Sequence, residues 1–321
     1  VLTNIQYPEN NAIEASIMNY AKNLYIDGVL TTELIIPDDV TSIAYCAFFG
    51  GKSITNVTFG KSTQSIGVGA FCETGLTELT LPDTITSIGE YAFRNCKDLR
   101  KITFGGGVDT LSYELFDDCT SLENIVWHNN IKHIGDKAFY GCQGLKELII
   151  PENMEHIGCL SFGYCSSLEK LHIPNSVTTL DDGCFAGCTS LHDIKLSTRL
   201  TEIPKEAFKK CHGLTSITLH EGMKNICNGA FRECNNLVSI DLPSTTMTID
   251  EFAFYKCTKL HSIYCRSTLP PQAKNCKTEP WNALKDNATD RMIYVPRDYA
   301  SKYTTAYGWR SYADYIVEYD F

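Results

Sequence analysis

Ile134-Gly135-Asp136-Lys137-Ala138-Phe139-Tyr140-Gly141-Cys142-Gln143-Gly144-Leu145-Lys146-Glu147-Leu148-Ile149-Ile150-Pro151 is one copy of a pattern that fills most of the chain. Phenylalanine returns every 23 residues from Phe93 through Phe116, Phe139, Phe162, Phe185, Phe208 and Phe231 to Phe254. Phe48 and Phe71 precede them, with a single 22-residue step between Phe71 and Phe93. Five residues before each Phe stands Ile or Leu: Ile43, Ile66, Ile88, Leu111, Ile134, Ile157, Leu180, Ile203, Ile226 and Ile249. A fixed period in the 20s means that each copy is too small to hold a core alone and is stable only when stacked on its neighbours.

The segment Leu145 to Ile150 recurs as Leu99, Ile102, Phe104; Leu122, Ile125, Trp127; Leu168, Leu171, Ile173; Leu191, Ile194, Leu196; Leu214, Ile217, Leu219; and Leu237, Ile240, Leu242. Its last two apolar positions alternate with an exposed one, the mark of a short strand with one face buried. Stacked in register, such strands form a parallel sheet with about 4.8 Å from coil to coil. Pro37, Pro82, Pro151, Pro174 and Pro243 follow the strand as corner residues. The Ala-Phe-x-x-Cys segment predicts a turn or a single helical turn. The expected fold is a right-handed leucine-rich-repeat solenoid, mostly β, of about ten 23-residue coils. Residues 34–265 form the array. An N-terminal cap of helix plus hairpin is expected over 1–33, from the spacing of Ile13, Ile17 and Tyr20 and from Asp27-Gly28 between apolar flanks. A C-terminal cap is expected over 266–321. There Ile293-Tyr294-Val295-Pro296 restores the strand pattern, Asp298 caps a short helix, and Tyr299, Tyr303, Tyr307, Trp309, Tyr312 and Ile316 cover the last coil. That aromatic group reads as a hydrophobic lid, with a carbohydrate-stacking platform as the alternative.

The net charge of -10 and pI near 5.3 argue against a nucleic-acid groove or an anionic membrane surface. No apolar run reaches the roughly 20 residues that span a bilayer. The chain starts at Val1 rather than Met, from which a removed upstream segment is expected. Eight of the 15 cysteines, Cys96, Cys119, Cys142, Cys165, Cys188, Cys211, Cys234 and Cys257, sit three residues after the Phe and so form a buried ladder of like side chains. Cys265 and Cys276 flank the end of the array, where a disulfide staple is the lesser expectation.

Phosphate-loop, zinc-helix and nucleophile-elbow motifs do not occur, so neither catalytic residue nor cofactor is expected. Asp117-Asp118 and Asp181-Asp182 read as solvated surface. His133 and His156, 23 apart, are placed to share a metal, but exposed side chains in chance register are the plainer reading and no metal site is expected. The exposed position within each strand reads Thr58, Thr80, Thr103, Val126, Ile149, His172, Lys195, Thr218, Asp241 and Tyr264. Val126 and Ile149 are apolar where solvent is expected, with His172 and Lys195 continuing the row and Asn124, Glu147 and Lys170 two residues earlier on their strands. An apolar patch rimmed by polar groups often marks a contact surface, the alternative being β-branched residues chosen for strand propensity; these residues are the candidate partner-binding site.

The pattern L-x-x-L-x-I-P followed by I-G-x-x-A-F-x-x-C, as in Leu145 to Pro151 and Ile157 to Cys165, resembles the BspA-like class of leucine-rich-repeat proteins. The resemblance implies a secreted or cell-surface microbial protein with a non-enzymatic binding role. Its partner would be a protein or glycan, such as host matrix or another cell. The competing expectation is a passive spacer without a ligand of its own.

Overall fold

Each coil of the structure turns on its phenylalanine. The computed structural model describes residues 25–26, 29–274 and 281–321, and the chain divides into two units, Val1–Lys146 and Glu147–Phe321. In the first, the rings of Phe48, Phe71, Phe93, Phe116 and Phe139 stack in sequence with centroids 5.2 to 5.5 Å apart. Phe162 to Phe254 do the same in the second, at 5.5 to 5.8 Å. From Phe71 onward every one of these rings is fully buried.

The backbone around each ring is not helical. The residues two before and two after the Phe have left-handed φ in every coil: Glu114 and Asp118 around Phe116, Glu206 and Lys210 around Phe208, Gly183 and Gly187 around Phe185. This alternation splits the amides into two sets. Those of Glu114, Phe116 and Asp118 donate to the carbonyls of Asp136, Ala138 and Tyr140 one coil further on, at 2.7 to 3.0 Å. Those of Asp117 and Cys119 close turns on Glu114 and Phe116. A helical turn would aim all its N–H groups along its own axis. The intercoil bonds therefore select the turn over the helical alternative.

The thiol ladder completes this corner. Cys119 donates through Sγ to the Phe93 carbonyl at 3.2 Å, and Cys188, Cys211, Cys234 and Cys257 do likewise to Phe162, Phe185, Phe208 and Phe231 at 3.0 to 3.3 Å. Each Phe carbonyl thus uses a second lone pair that the turn leaves over. Where the ladder position holds Thr74, its hydroxyl bonds the carbonyl of Phe71. Cys265 is a free, buried thiol, while Cys276 lies outside the described residues.

Two walls leave this corner. The first consists of three-residue strands paired in parallel at offsets of one coil. In the N-terminal unit Glu33–Ile35 pairs with Asn56–Thr58, and Glu78–Thr80, Lys101–Thr103 and Asn124–Val126 pair in turn. In the C-terminal unit Glu147–Ile149, Lys170–His172 and Asp193–Lys195 form one sheet, and Ser239–Leu242, Ser262–Cys265, Met292–Pro296 and Ile316–Tyr319 another, with Thr218 bridged to Asp241. The second wall carries the Ile or Leu that precedes each Phe, as in Thr110–Leu111 paired with His133–Ile134. At three of its steps glycine is required: a Cβ at Gly67, Gly89 or Gly135 would come within 2.4 to 2.7 Å of the backbone of the preceding coil. The corner prolines open turns, since the carbonyls of Pro37, Pro82, Pro151, Pro174 and Pro243 each accept from the amide three residues on.

About twelve turns result over the two units, where the sequence predicts about ten. The additional rungs are Met292–Pro296 and Ile316–Tyr319. Ile316 was expected to lie in the covering segment, but it pairs in parallel with Ile293 as part of a strand. The helix expected over Ile13 to Tyr20 lies outside the described residues, while Tyr25–Ile26 and Val29–Leu30 pair antiparallel as a hairpin. Asp298 does not cap the following helix: Ala300–Thr305 begins after Tyr299 without a side-chain cap.

Removing one ring from a stack opens a cavity that two neighbours share. Phe208→Ala is expected to cost about 3–5 kcal/mol in urea unfolding. Lys210→Gly, which relieves a left-handed L-residue at φ 60, is expected to raise stability by about 0.5–1 kcal/mol in the same measurement.

Candidate interaction surface

Alternation along each three-residue strand sends its central residue inward and the two flanking residues outward. On the C-terminal unit this places Glu147 beside Lys170 beside Asp193, and Ile149 beside His172 beside Lys195, in register on three adjacent strands. Leu148 and Leu171 are buried beneath them. Ile149 is 60% exposed, His172 half-buried, and Glu147, Lys170 and Lys195 exposed. Five residues of the candidate patch thus share one surface. Asn124 and Val126 lie on one strand of the N-terminal unit, in register with Lys101 and Thr103. Val126 is 45% exposed there.

Two features of the wall escaped the sequence. Ile35, 71% exposed, is the outward residue of the strand that pairs with Asn56–Thr58. The second is a group of aromatic rings at the other end of the chain. Asp241, Tyr264, Tyr294 and Val317 are successive outward partners on four strands. Tyr264 stacks on Tyr294 at 4.7 Å, and Tyr319 stands edge-on to both at 5.6 and 5.4 Å. Phe321 packs against Tyr319 at 5.2 Å, with Arg266 over its ring at 5.1 Å. The signal was present as the period-two run Val317, Tyr319, Phe321.

Of the aromatic residues expected to cover the last coil, Tyr307 is 50% exposed and Tyr299 half-buried. Tyr303, Trp309 and Tyr312 are buried. Tyr303 donates to the Ser267 carbonyl and Trp309 Nε1 to that of Pro271, both at 2.7 Å, and Tyr312 donates to that of Trp281. With their polar atoms engaged internally, these rings offer no stacking platform.

Ionisable groups gather elsewhere. His156 faces the Asp181 carboxylate at 3.2 Å and the Thr179 hydroxyl at 3.4 Å. Among the described residues no three of the His, Cys, Asp and Glu side chains come together as a metal site would need. Asp117 is a correction: it is buried, not solvated, because the left-handed turn folds it under the corner against Arg94 Nε at 2.9 Å. Arg94 and Lys137 also hold Glu114, at 3.5 and 3.0 Å. Burial first, and then the Asp118 carboxylate, push the Asp117 pKa from 3.8 up to about 6 despite the nearby guanidinium. The folded chain therefore holds the extra proton. The cost of the ionised group is fully present above about pH 6 and fades as the pH falls toward 4. Asp117→Asn is expected to exceed the parent in stability at pH 7 by up to about 2–3 kcal/mol. Urea unfolding at pH 4 is expected to show that advantage gone.

The description of the BspA type leucine rich repeat region matches residues 21–129, 64–190, 109–234 and 201–276, in six copies. Among solved structures, a leucine-rich repeat protein from Bacteroides ovatus is 24% identical, over 85% of this chain and 83% of its own, with a TM-score of 0.55. The pneumococcal vaccine antigen PcpA is 18% identical over 90% of this chain and 80% of its own, with a TM-score of 0.54. A leucine rich cell surface protein from Faecalibacterium prausnitzii is 24% identical over 81% and 83%, with a TM-score of 0.45. No curated protein matches. At these identities the likeness to the first two establishes the shared fold alone.

Proposed function

The chain belongs to the BspA-type leucine-rich-repeat family, and we propose that it is a non-enzymatic interaction module, secreted or displayed at a cell surface, that engages a protein partner through the outer face of its first wall. The observation that carries this reading is Ile149, 60% exposed, with Glu147 on its own strand, Lys170 and His172 on the next and Lys195 on the one after. A β-branched residue at this position satisfies strand propensity, but so does threonine, which occupies it at Thr58, Thr80 and Thr103 without exposing a full hydrocarbon side chain. An exposed apolar centre with a charged rim is the usual composition of a protein contact. The partner is of the adhesion type, a host matrix protein or a component of another cell. This accords with the structural likeness to a protein described as a vaccine antigen.

No helix among the described residues is long and apolar enough to cross a membrane. The net charge of -10 favours partners that present basic surface. Within the patch, opposite charges follow one another from strand to strand as Glu147, Lys170 and Asp193. Such alternation sets the register of a partner more than it adds affinity.

The test is saturable binding of the purified chain to a panel of immobilised matrix proteins and to whole cells. Val126→Asp with Ile149→Asp is expected to weaken that binding at least tenfold while leaving the unfolding transition unchanged, since both side chains face solvent. Unchanged affinity removes this surface, and absence of any saturable binding leaves the chain a spacer.

A further inference from the structure

The aromatic group at the last four strands of the first wall is built differently from the rest of that wall. Elsewhere the outward row consists of single side chains one coil apart. Here Tyr264, Tyr294, Tyr319 and Phe321 form one contiguous patch on the outer face of a single sheet. Tyr319 and Phe321 are each 44% exposed, and the Tyr264 and Tyr294 rings are half-buried below them. Burial of a ring edge under a ring that remains exposed is not how a core forms. It fixes the upper rings in place and presents them to solvent.

One polar device adjoins the rings. Arg266 donates through Nε and a terminal nitrogen to the two carboxylate oxygens of Asp241, both at 2.7 Å, while its guanidinium lies over the Phe321 ring. A bidentate pair of this kind is rigid and planar, and its two charges cancel. The remaining lone pairs of Asp241 and the outer N–H groups of Arg266 are left for a ligand.

We propose that this patch is a carbohydrate platform for a neutral oligosaccharide, whose pyranose C–H faces stack on Tyr319 and Phe321 while hydroxyl groups bridge to the Arg266–Asp241 pair. Three observations select this class. The paired charges give no net attraction for an anionic or cationic ligand. The rings of Tyr264 and Tyr294, stacked at 4.7 Å and inclined by only 13°, leave no slot between them for an inserted proline ring. A flat apolar protein surface would have to bury the Arg266–Asp241 pair away from water, which is costly. A sugar instead presents an apolar face and a hydrogen-bonding rim in the same small area, the combination that tyrosine and its polar neighbours match. The proposal rests on the reading of the wall as a binding surface but uses none of the residues around Ile149.

Its test is a glycan array of neutral oligosaccharides (gluco-, xylo-, manno-, galacto- and N-acetylglucosamine oligomers), followed by titration calorimetry of any that bind. Binding is expected to be unchanged between about 0.05 and 0.5 M salt, as for an uncharged ligand. Tyr319→Ala with Phe321→Ala is expected to weaken it at least tenfold, and Arg266→Gln, which leaves every ring in place, about three- to tenfold. Thermal unfolding of each variant verifies the fold, and the arginine variant keeps the test decisive should the double variant loosen the final strand. The Val126→Asp, Ile149→Asp variant is expected to bind sugar like the parent, so failure of the protein-binding patch and failure of this one are separable. The proposal is overturned if no neutral oligosaccharide binds, if binding survives both sets of substitutions, or if only proline-rich peptides or proteins occupy the patch.

Discussion

The constraint on which everything else depends is the pairing of one coil's corner amides with the next coil's carbonyls. For Glu114, Phe116 and Asp118 to reach Asp136, Ala138 and Tyr140, the chain must place left-handed residues on either side of the phenylalanine. Glycine would do this without strain, yet only some coils use it; Glu114, Lys137, Leu160, Glu206 and Lys210 adopt the same conformation with side chains present. Isolated, each would be unfavourable by about 1–2 kcal/mol. The phenylalanine stack and the intercoil bonds hold them there, which makes the corner a structure that a single coil has no means of forming alone.

The walls follow from the corner. Once successive rings are held 5.2 to 5.8 Å apart within a unit, the strands on both sides are brought into parallel register at the same repeat, and the single 22-residue step between Phe71 and Phe93 does not disturb it. The ring spacing slightly exceeds the strand spacing of about 4.8 Å. The interior is therefore dictated by the repeat, while the outward strand positions experience no demand from it. That separation is why threonine, isoleucine, histidine, lysine, aspartate and tyrosine all occur at one and the same template position.

Most of the fold was legible because burial is periodic. The Phe, Cys and Ile positions announced themselves at 23-residue intervals, and the strand pairs fall where the alternation of Leu148, Ile149 and Ile150 puts them. What was hidden lies where the period stops. Ile316 to Tyr319 reads equally as a helix face or as a strand, and only its pairing with Met292–Pro296 decides for the strand. Asp117 looked solvated because acidic pairs usually are; its burial depends on the left-handed turn at Asp118 and on Arg94 in the preceding coil, and neither can be seen in the local sequence. The patch around Ile149 was legible as an oddity in a row. The aromatic platform was not, because its members come from strands 30 and 25 residues apart rather than from the repeat.

The thiol ladder bears on what so many cysteines ask of their surroundings. Fifteen reactive cysteines would sit poorly with an oxidising compartment. Reactivity belongs to the thiolate, however, and burial opposes its formation. Desolvation pushes Cys211 and Cys257 up to about 12 and holds Cys188 and Cys234 well above the ordinary value, whereas at Cys96, against its burial, hydrogen bonds from Cys119 and Thr74 bring the thiol below it. Outside the ladder desolvation raises Cys72 and Cys227 to about 12. Cys96, Cys119, Cys142, Cys188, Cys211, Cys234 and Cys257 are also committed as donors to a phenylalanine carbonyl, a role that a disulfide sulfur cannot fill. Oxidation of the ladder would thus require the corner to open first, and the corner opens only when the coils come apart. The ladder cysteines behave as small hydrogen-bonding hydrophobes.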